Sequence, residues 1–184
     1  MDVFSHGLWS AVGAAAVNKS SPRRISLTRA AGWGVFPDLF AFGPFFLYLF
    51  YRRLVGAAFP LELPTVEPVP QYLPLYQISH TLYQWSHSII IFALAFGLAV
   101  LISRLIHPAH DWNKRIPWSM LAWGVHILVD IPTHSYRFYP TPFLWPLSGW
   151  KFNGFSWGTP WFIVVNYGAL LLTIWWLRQK KKKL

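Results

Sequence analysis

The stretch from Trp118 to Ser135, WSMLAWGVHILVDIPTHS, decides the fold because it places metal-type ligands on an otherwise apolar helix. His126 and Asp130 are four residues apart, so their side chains lie on one helix face and can coordinate a single cation. An imidazole and a carboxylate suit zinc and other divalent first-row metals. His134 continues this face one turn later, although Pro132 is expected to kink or end the helix. For an isolated pair, a buried histidine with a helix-end aspartate explains the pattern equally well.

The composition indicates a multi-pass membrane protein. Of the 184 residues, 54% are hydrophobic, 19% are aromatic and only 12% are charged, yet the formal net charge is +10. Soluble domains rarely combine so much apolar surface with so few charges. The length fits a single domain over residues 1–184. We therefore expect an all-α membrane bundle with about four to five membrane-embedded helices.

The distribution of basic residues argues against nucleic acid as a partner. Much of the positive charge lies in the terminal run Lys180–Lys183, directly after an apolar segment. Such a run more often marks the cytoplasmic end of a membrane span. The chain has no cysteine, so any metal must bind through nitrogen and oxygen. The expected partner is the lipid bilayer.

The first third of the chain predicts two short helices separated by a basic loop. Residues 1–17 form an apolar, small-residue helix that carries His6 in its first turn, and residues 18–29 form the loop. A second helix before Arg52 brings Asp38 to the same side of the membrane as His6. Because Asp38 has apolar neighbours on both sides, it is costly in a membrane unless it is paired.

The middle of the chain predicts a proline-rich loop and then a long helix. Residues 55–74 contain the only two glutamates and no basic residue, which indicates an irregular or re-entrant segment. The pattern from Leu75 to Ile102 is helical and places His80 and His87, seven residues apart, on one face. The last span is expected at residues 161–177, before the basic C-terminal run.

The positive-inside rule gives the predicted bundle an orientation. With a cytoplasmic C-terminus, the loop at residues 132–159 lies outside, and the ligands fall in the extracytoplasmic half of the inner membrane. If the 55–74 loop instead lies outside, Asp38 is expected far from His87. The aromatic segment at residues 139–157 predicts either a lid over the site or an interfacial belt. The basic residues expected inside are Lys19, Arg23, Arg24, Arg29, Arg52, Arg53, Arg104, Lys114 and Arg115.

Four short motifs follow one another along the chain: SHG near the N-terminus, FPDLF, LYQWSHSIII, and HILVDIPTHS followed by PTPFLWPLS. In this combination the chain resembles the predicted membrane-bound metal-dependent hydrolases, a bacterial and archaeal inner-membrane family that is remotely similar to zinc-dependent phospholipase C. The resemblance extends over most of the chain. It implies a metal site formed by His6, Asp38, His87, His126 and Asp130.

The chain departs from the family pattern at one point. Many relatives have a His-Arg pair shortly before the His-Ser, whereas this chain has Leu82-Tyr83 there. His80, one turn earlier, is therefore a further candidate ligand, as is His134. Ser88 beside His87 does not predict a Ser-His-Asp nucleophile, because adjacent helical residues point about 100° apart.

The residues also favour a metal without the resemblance. Ionisable groups inside membrane segments are expensive and usually face a cavity or one another. A shared cation would neutralise both aspartates at once, and the ligand types favour a divalent metal, with zinc expected, as one or two ions. The set exceeds what a core needs for hydrogen bonding; it comprises His6, Asp38, His80, His87, His126 and Asp130.

Two classes of function fit these observations. The first is a membrane hydrolase that cleaves an ester or phosphoester of a lipid or small molecule through a metal-bound hydroxide. In it, Asp38 or Asp130 orients or deprotonates the water, and Arg137 or Lys151 is available for a phosphate. The second is a metal-binding or metal-transporting membrane protein, which would more often show matched halves. No internal repeat is visible, so we favour hydrolysis. The oligomeric state is left open.

Overall fold

The computed structural model describes residues 1–22, 24–56, 73–106 and 116–179. Regular structure in these ranges is helical, apart from an isolated bridge between Ser135 and Phe138. The helices are α1 Val3–Ser20, α2 Leu27–Leu54, α3 Leu73–Ser86, α4 Ile89–Ile106, α5 Leu121–Thr133 and α6 Pro160–Gln179, with a 3-10 turn at Trp118–Met120 before α5. The predicted all-α membrane bundle is confirmed.

Three helices within the described ranges, α2, α4 and α6, are long and apolar enough to cross a membrane. No residue of α4 is buried inside the bundle, and its leucines Leu94, Leu98 and Leu105 are exposed. Such a surface is stable in hydrocarbon, where an apolar side chain carries no hydration cost. α2 is the central element, because it packs against α1, α3 and α5.

α2 is one helix of 28 residues, although the sequence predicted a short helix after a basic loop. Ser26 caps its start by accepting a hydrogen bond from the amide of Arg29, so the helix begins inside the predicted loop. It then continues through Pro37 and Pro44. At 1.5 Å per residue, Arg29 and Arg52 lie roughly 35 Å apart. The prediction that both basic groups share the cytoplasmic side is therefore wrong.

The continuity of α2 also decides whether Asp38 can lie close to His87. Asp38 lies roughly 16 Å along the axis from Leu27, near the middle of the helix. It therefore reaches His87, at 3.5 Å between Oδ1 and Nε2, whichever side the following loop occupies. Most of the predicted 55–74 loop, residues 57–72, lies outside the described residues, as do Arg23, Lys114, Arg115 and the C-terminal lysines.

The long helix predicted over Leu75–Ile102 is broken at His87 and Ser88, between α3 and α4. The Ser88 hydroxyl oxygen accepts hydrogen bonds from two amides in the first turn of α4, at 3.1 and 3.2 Å. It also donates to the carbonyl of Trp145. Ser88 is thus an N-cap. The break follows His87, whose amide still donates to the carbonyl of Tyr83 at 2.9 Å. His80 and His87 nevertheless contact different groups, Tyr139 and His126 respectively.

An aromatic core fixes α5 against α2. Trp123 stacks on Trp33 with ring centroids 6.1 Å apart, and it meets Phe36 edge-to-face at 5.1 Å. Its indole nitrogen donates to the carbonyl of Ser86 at 2.6 Å. Ile127, one turn further on, is fully buried. These contacts turn the polar face of α5 toward α2 and toward the break after α3.

The segment at residues 134–159 is tied to the bundle at several points. The hydroxyl of Tyr83 donates to the carbonyl of Tyr139 at 2.9 Å. A Cβ on Gly154 would lie 2.1 Å from the carbonyl oxygen of Pro132, so only glycine allows this approach. The segment therefore covers the end of α5.

Candidate metal centre

His126 and Asp130 lie one turn apart on α5, and both are buried. His126 Nε2 lies 3.1 Å from Asp130 Oδ2. His126 Nδ1 lies 2.7 Å from the carbonyl oxygen of Gly34, on α2. Because a carbonyl only accepts, Nδ1 carries a proton, and a neutral ring presents a bare Nε2 to the carboxylate. Two acceptors at this distance are stabilised by a shared cation, either a metal ion or a second ring proton.

Asp38 reaches the same point from α2, directly after Pro37. Its Oδ1 lies 3.5 Å from Nε2 of His87 and 3.8 Å from Nε2 of His126. Its Oδ2 is buried and has no hydrogen-bond partner among the described residues. Burying a carboxylate oxygen without a partner is costly, more so in a membrane, so this atom is a good ligand position.

His87 is positioned by the break between α3 and α4. Its Nε2 lies 3.1 Å from Nε2 of His126 and 3.5 Å from Oδ2 of Asp130. Its Nδ1 lies 2.9 Å from the hydroxyl oxygen of Ser86. The ring of Tyr83 stacks on it with centroids 3.8 Å apart. Contacts on the outer nitrogen and on one face therefore hold Nε2 toward both carboxylates.

The four-ligand cluster consists of Asp38, His87, His126 and Asp130. Each offers one ligand atom, these atoms lie within 4.8 Å of one another, and the group could hold a metal ion. Zinc bonds of about 2.0–2.2 Å in a tetrahedral site put ligand atoms roughly 3.3–3.6 Å apart. The separations of 3.1 to 3.8 Å given above bracket that range. The two nitrogens and two oxygens thus fit a divalent cation.

His6, the remaining ligand implied by the resemblance, lies beside this cluster. Its ring stacks on His126 with centroids 3.6 Å apart, and its Nε2 lies 2.9 Å from Oδ1 of Asp130. That approach lacks hydrogen-bond alignment, which leaves Nε2 as a buried atom without a described hydrogen-bond partner. The amino group of Met1 also donates to Oδ1. Asp130 therefore faces His87 and His126 with one oxygen and His6 with the other.

The two further candidate ligands lie in different places. His134 is buried, and its Nδ1 lies 3.5 Å from Oδ1 of Asp130 and 3.2 Å from the Asp130 carbonyl oxygen. It borders the centre on the same side as His6. His80 instead faces Tyr139, with ring centroids 6.5 Å apart, in a separate cavity described below. His80 therefore does not lie at the four-ligand cluster, where the resemblance made it a candidate replacement for a His-Arg pair.

A hydrogen-bonded chain that the sequence did not reveal ties α1 to α6 beside His6. Ser5 donates to Asp2 at 2.6 Å, and Asn166 donates to the Ser5 hydroxyl at 2.7 Å. Trp9 in turn donates to the Asn166 side-chain oxygen at 2.9 Å. Asp2 is the N-cap of α1 in the structure, accepting from the Ser5 amide. Asn166 is more than 150 residues from Ser5 and Trp9, so no local pattern predicts those two contacts.

Electrostatics in the described part of the chain favour a cation at the four-ligand cluster. The positive partners of its carboxylates are histidines and the amino group of Met1, and no lysine or arginine joins them there. With neutral imidazoles, the two carboxylates outweigh the one amino group of Met1, so a net negative charge is left in an apolar bundle. A cation offsets that charge and partners the free oxygens.

The chain belongs to the YdjM inner membrane protein family, whose family model matches residues 1–184. No curated protein and no solved structure matches the chain. The family and the three apolar helices confirm the predicted inner membrane location. The metal-dependent hydrolase part of the resemblance stays a prediction.

Proposed function

We propose that this member of an inner membrane protein family is a membrane-embedded, metal-dependent hydrolase acting on an ester or phosphoester. The observation that carries the proposal is the four-ligand cluster, in which two imidazole nitrogens and two carboxylates converge within 4.8 Å. A fully satisfied structural core would not leave Oδ2 of Asp38 without a described partner.

The residues divide into ligands and groups that position them. His87, His126 and one oxygen each of Asp38 and Asp130 would hold the first ion, with zinc expected from the nitrogen and oxygen set. His6 and His134, on the second oxygen of Asp130, would border a second ion. When bound, the metal supplies a Lewis acid and lowers the pKa of coordinated water toward neutrality.

Asp38 is the side chain best placed to handle the proton of an attacking water. Its Oδ1 faces the two histidines, and its Oδ2 is left to orient the water and accept its proton. The Gly34 carbonyl keeps the outer nitrogen of His126 protonated, and Tyr83 stacks on His87. The 134–159 segment, held over the end of α5, would limit access of bulk water.

Purified full-length protein in nonionic detergent tests this function. Zinc-loaded, chelated and metal-exchanged samples are assayed against nitrophenyl phosphate, bis-nitrophenyl phosphate, a nitrophenyl ester and phospholipids. We expect hydrolysis that chelation abolishes reversibly and whose pH profile shifts with the metal, because different metals acidify water differently. Asp38→Asn should bind metal more weakly and lose hydrolysis.

The competing function is transport of a metal ion. The same samples reconstituted in liposomes with an internal metal-sensitive dye measure it directly. If metal-loaded protein hydrolyses none of the substrates yet carries metal across the liposome membrane, transport replaces the hydrolase proposal.

A further inference from the structure

A cavity of about 140 Å³ lies on the other side of Tyr83 from the four-ligand cluster. This is about ten times the volume that one water molecule needs, which is ~10–15 Å³. Its walls come from α3 and from the 134–159 segment, and the polar groups among them include Tyr76, His80, Gln84, Arg137, Tyr139 and Lys151. Tyr83 forms the common wall, since its ring lines the cavity and stacks on His87.

The cavity is electropositive. Its basic groups are His80, Arg137 and Lys151, and no carboxylate of the described ranges lines it or pairs with Arg137 or Lys151. Burial, and after it the charge of Lys151, lowers the pKa of His80, so the positive charge of the cavity comes from Arg137 and Lys151. The complementary ligand is therefore an anion.

The inner wall is built under backbone strain. Tyr139 has φ 41°, in the left-handed region that bulky residues rarely occupy. Its ring is held by Phe42, Tyr76 and Tyr83, with centroids 5.1, 5.6 and 5.2 Å away. Its carbonyl accepts the hydrogen bond from Tyr83. Strain that packing maintains in this way is typical of ligand sites.

We infer that this cavity binds the phosphate group of a phosphoester and so directs the hydrolase toward phosphate-bearing substrates. A guanidinium and an ammonium beside tyrosine and amide donors suit the several oxygens and the negative charge of a phosphate group. Tyr83 lines the cavity and stacks on His87, so a phosphate held here would lie beside the four-ligand cluster, with the ring of Tyr83 between them. Identifying the bound group as substrate rests on the proposed function, whereas the binding itself does not.

Calorimetric titration of full-length protein in nonionic detergent tests the binding, with chelator present so that no metal contributes. The probes are inorganic phosphate and the short-chain lipid dihexanoyl phosphatidylglycerol. Arg137→Gln and Lys151→Gln should each weaken binding by about tenfold or more, because each removes a charge-assisted contact. Arg137 is exposed, so its loss leaves the fold intact, which the melting temperature verifies.

Arg29→Gln is the matched control, since Arg29 is exposed and lies roughly 20 Å along α2 from Phe42, which contacts the cavity residue Tyr139. Binding of both probes identifies a phosphate site that accepts free phosphate, and binding of the lipid alone identifies a headgroup site. The inference is overturned if neither probe binds, or if Arg29→Gln weakens binding as much as Arg137→Gln. The titration contains no metal, so its result does not depend on hydrolysis. A failure of phosphate binding can therefore be told apart from a failure of the hydrolase proposal.

Discussion

Each imidazole of the four-ligand cluster is directed by a contact made away from its ligand nitrogen. Gly34 accepts from Nδ1 of His126, whereas Ser86 and Tyr83 contact His87. Such contacts fix which nitrogen faces the metal and raise its basicity. The effect of removing one side chain on metal affinity therefore depends on which ligand that side chain contacts, rather than on its residue type.

Asp130→Asn and His126→Ala should each abolish tight metal binding. The first keeps the shape but loses the charge, and the second removes a ligand nitrogen; losing one ligand or its support costs 10- to 100-fold or more in affinity. Elemental analysis of purified protein after dialysis measures the bound metal. His80→Ala, which removes a histidine outside the cluster, is the control and should keep its metal. Full metal content in both ligand variants would contradict the site.

Gly34→Ala should destabilise the protein and weaken metal binding. A Cβ at this position would lie 2.1 Å from Oγ of Ser10 and 2.8 Å from the backbone oxygen of His6, so α1 must shift. Overpacking of this kind costs about 1–3 kcal/mol. Thermal unfolding in detergent and metal titration measure both effects.

Gly32→Ala is the matched control for this substitution. It lies on the same helix, and a Cβ there meets nothing within 4 Å. The melting temperature should be unchanged or slightly raised, because alanine favours the helix. Equal losses in the two variants would show that α1 and α2 do not approach as described.

At the residue scale, spacing predicted some neighbours and not others. The four-residue interval brought His126 and Asp130 together because helix geometry is local. Asp38 and His87 were predicted from the family resemblance and from the cost of ionisable groups in a membrane, because no periodicity links positions on different helices. The amino group of Met1 and the stacking of Tyr83 on His87 carried no sequence signal.

At the element scale, two helix boundaries were mispredicted for opposite reasons. α2 continues through Pro37 and Pro44 because packing against three neighbouring helices outweighs the cost of the missing donors. The helix predicted over Leu75–Ile102 breaks without any proline or glycine at the break, because Ser88 caps α4 and the 134–159 segment accepts its hydroxyl. Both outcomes depend on tertiary contacts, which a local pattern does not contain.

Ser88→Ala should loosen the break that positions His87. Loss of an N-cap costs about 1 kcal/mol, so we expect a lower melting temperature and weaker, but not abolished, metal binding. Competition with a chelator of known affinity measures the binding. The control is Ser20→Ala, because the Ser20 hydroxyl is exposed and bonds only to carbonyls of its own helix in the described structure. If metal affinity is unchanged in Ser88→Ala, the cap does not position His87.

At the scale of the whole molecule, composition was sufficient to predict a helical membrane bundle, because apolar content and charge are global quantities. The orientation of the bundle in the membrane depends on which helix ends lie on the same side. Lys19 donates to the carbonyl of Leu177, so the C-terminal ends of α1 and α6 lie side by side with the start of α2. Basic residues gather at this end, which the positive-inside rule assigns to the cytoplasm.

This arrangement predicts the side of the membrane that each end of α2 faces. Because α2 is continuous, its C-terminal end at Leu54 and the exposed Trp150 belong to the extracytoplasmic side, and Ser20 belongs to the cytoplasmic side. The chain has no cysteine, so Leu54→Cys, Trp150→Cys and Ser20→Cys each give a single thiol. A membrane-impermeant maleimide should label the first two in intact spheroplasts, and Ser20→Cys only after permeabilisation.

The same orientation gives the depth of the four-ligand cluster. Asp38 lies roughly 16 Å along α2 from the cytoplasmic end, so the cluster lies near the middle of a hydrocarbon core about 30 Å thick. The cavity beside Tyr83 is walled by the 134–159 segment, which this orientation places on the extracytoplasmic side, so a phosphate-bearing substrate would have to reach the cavity from there. Labelling of Ser20→Cys in intact spheroplasts, with Leu54→Cys protected, would invert the bundle and require substrate to arrive from the cytoplasm.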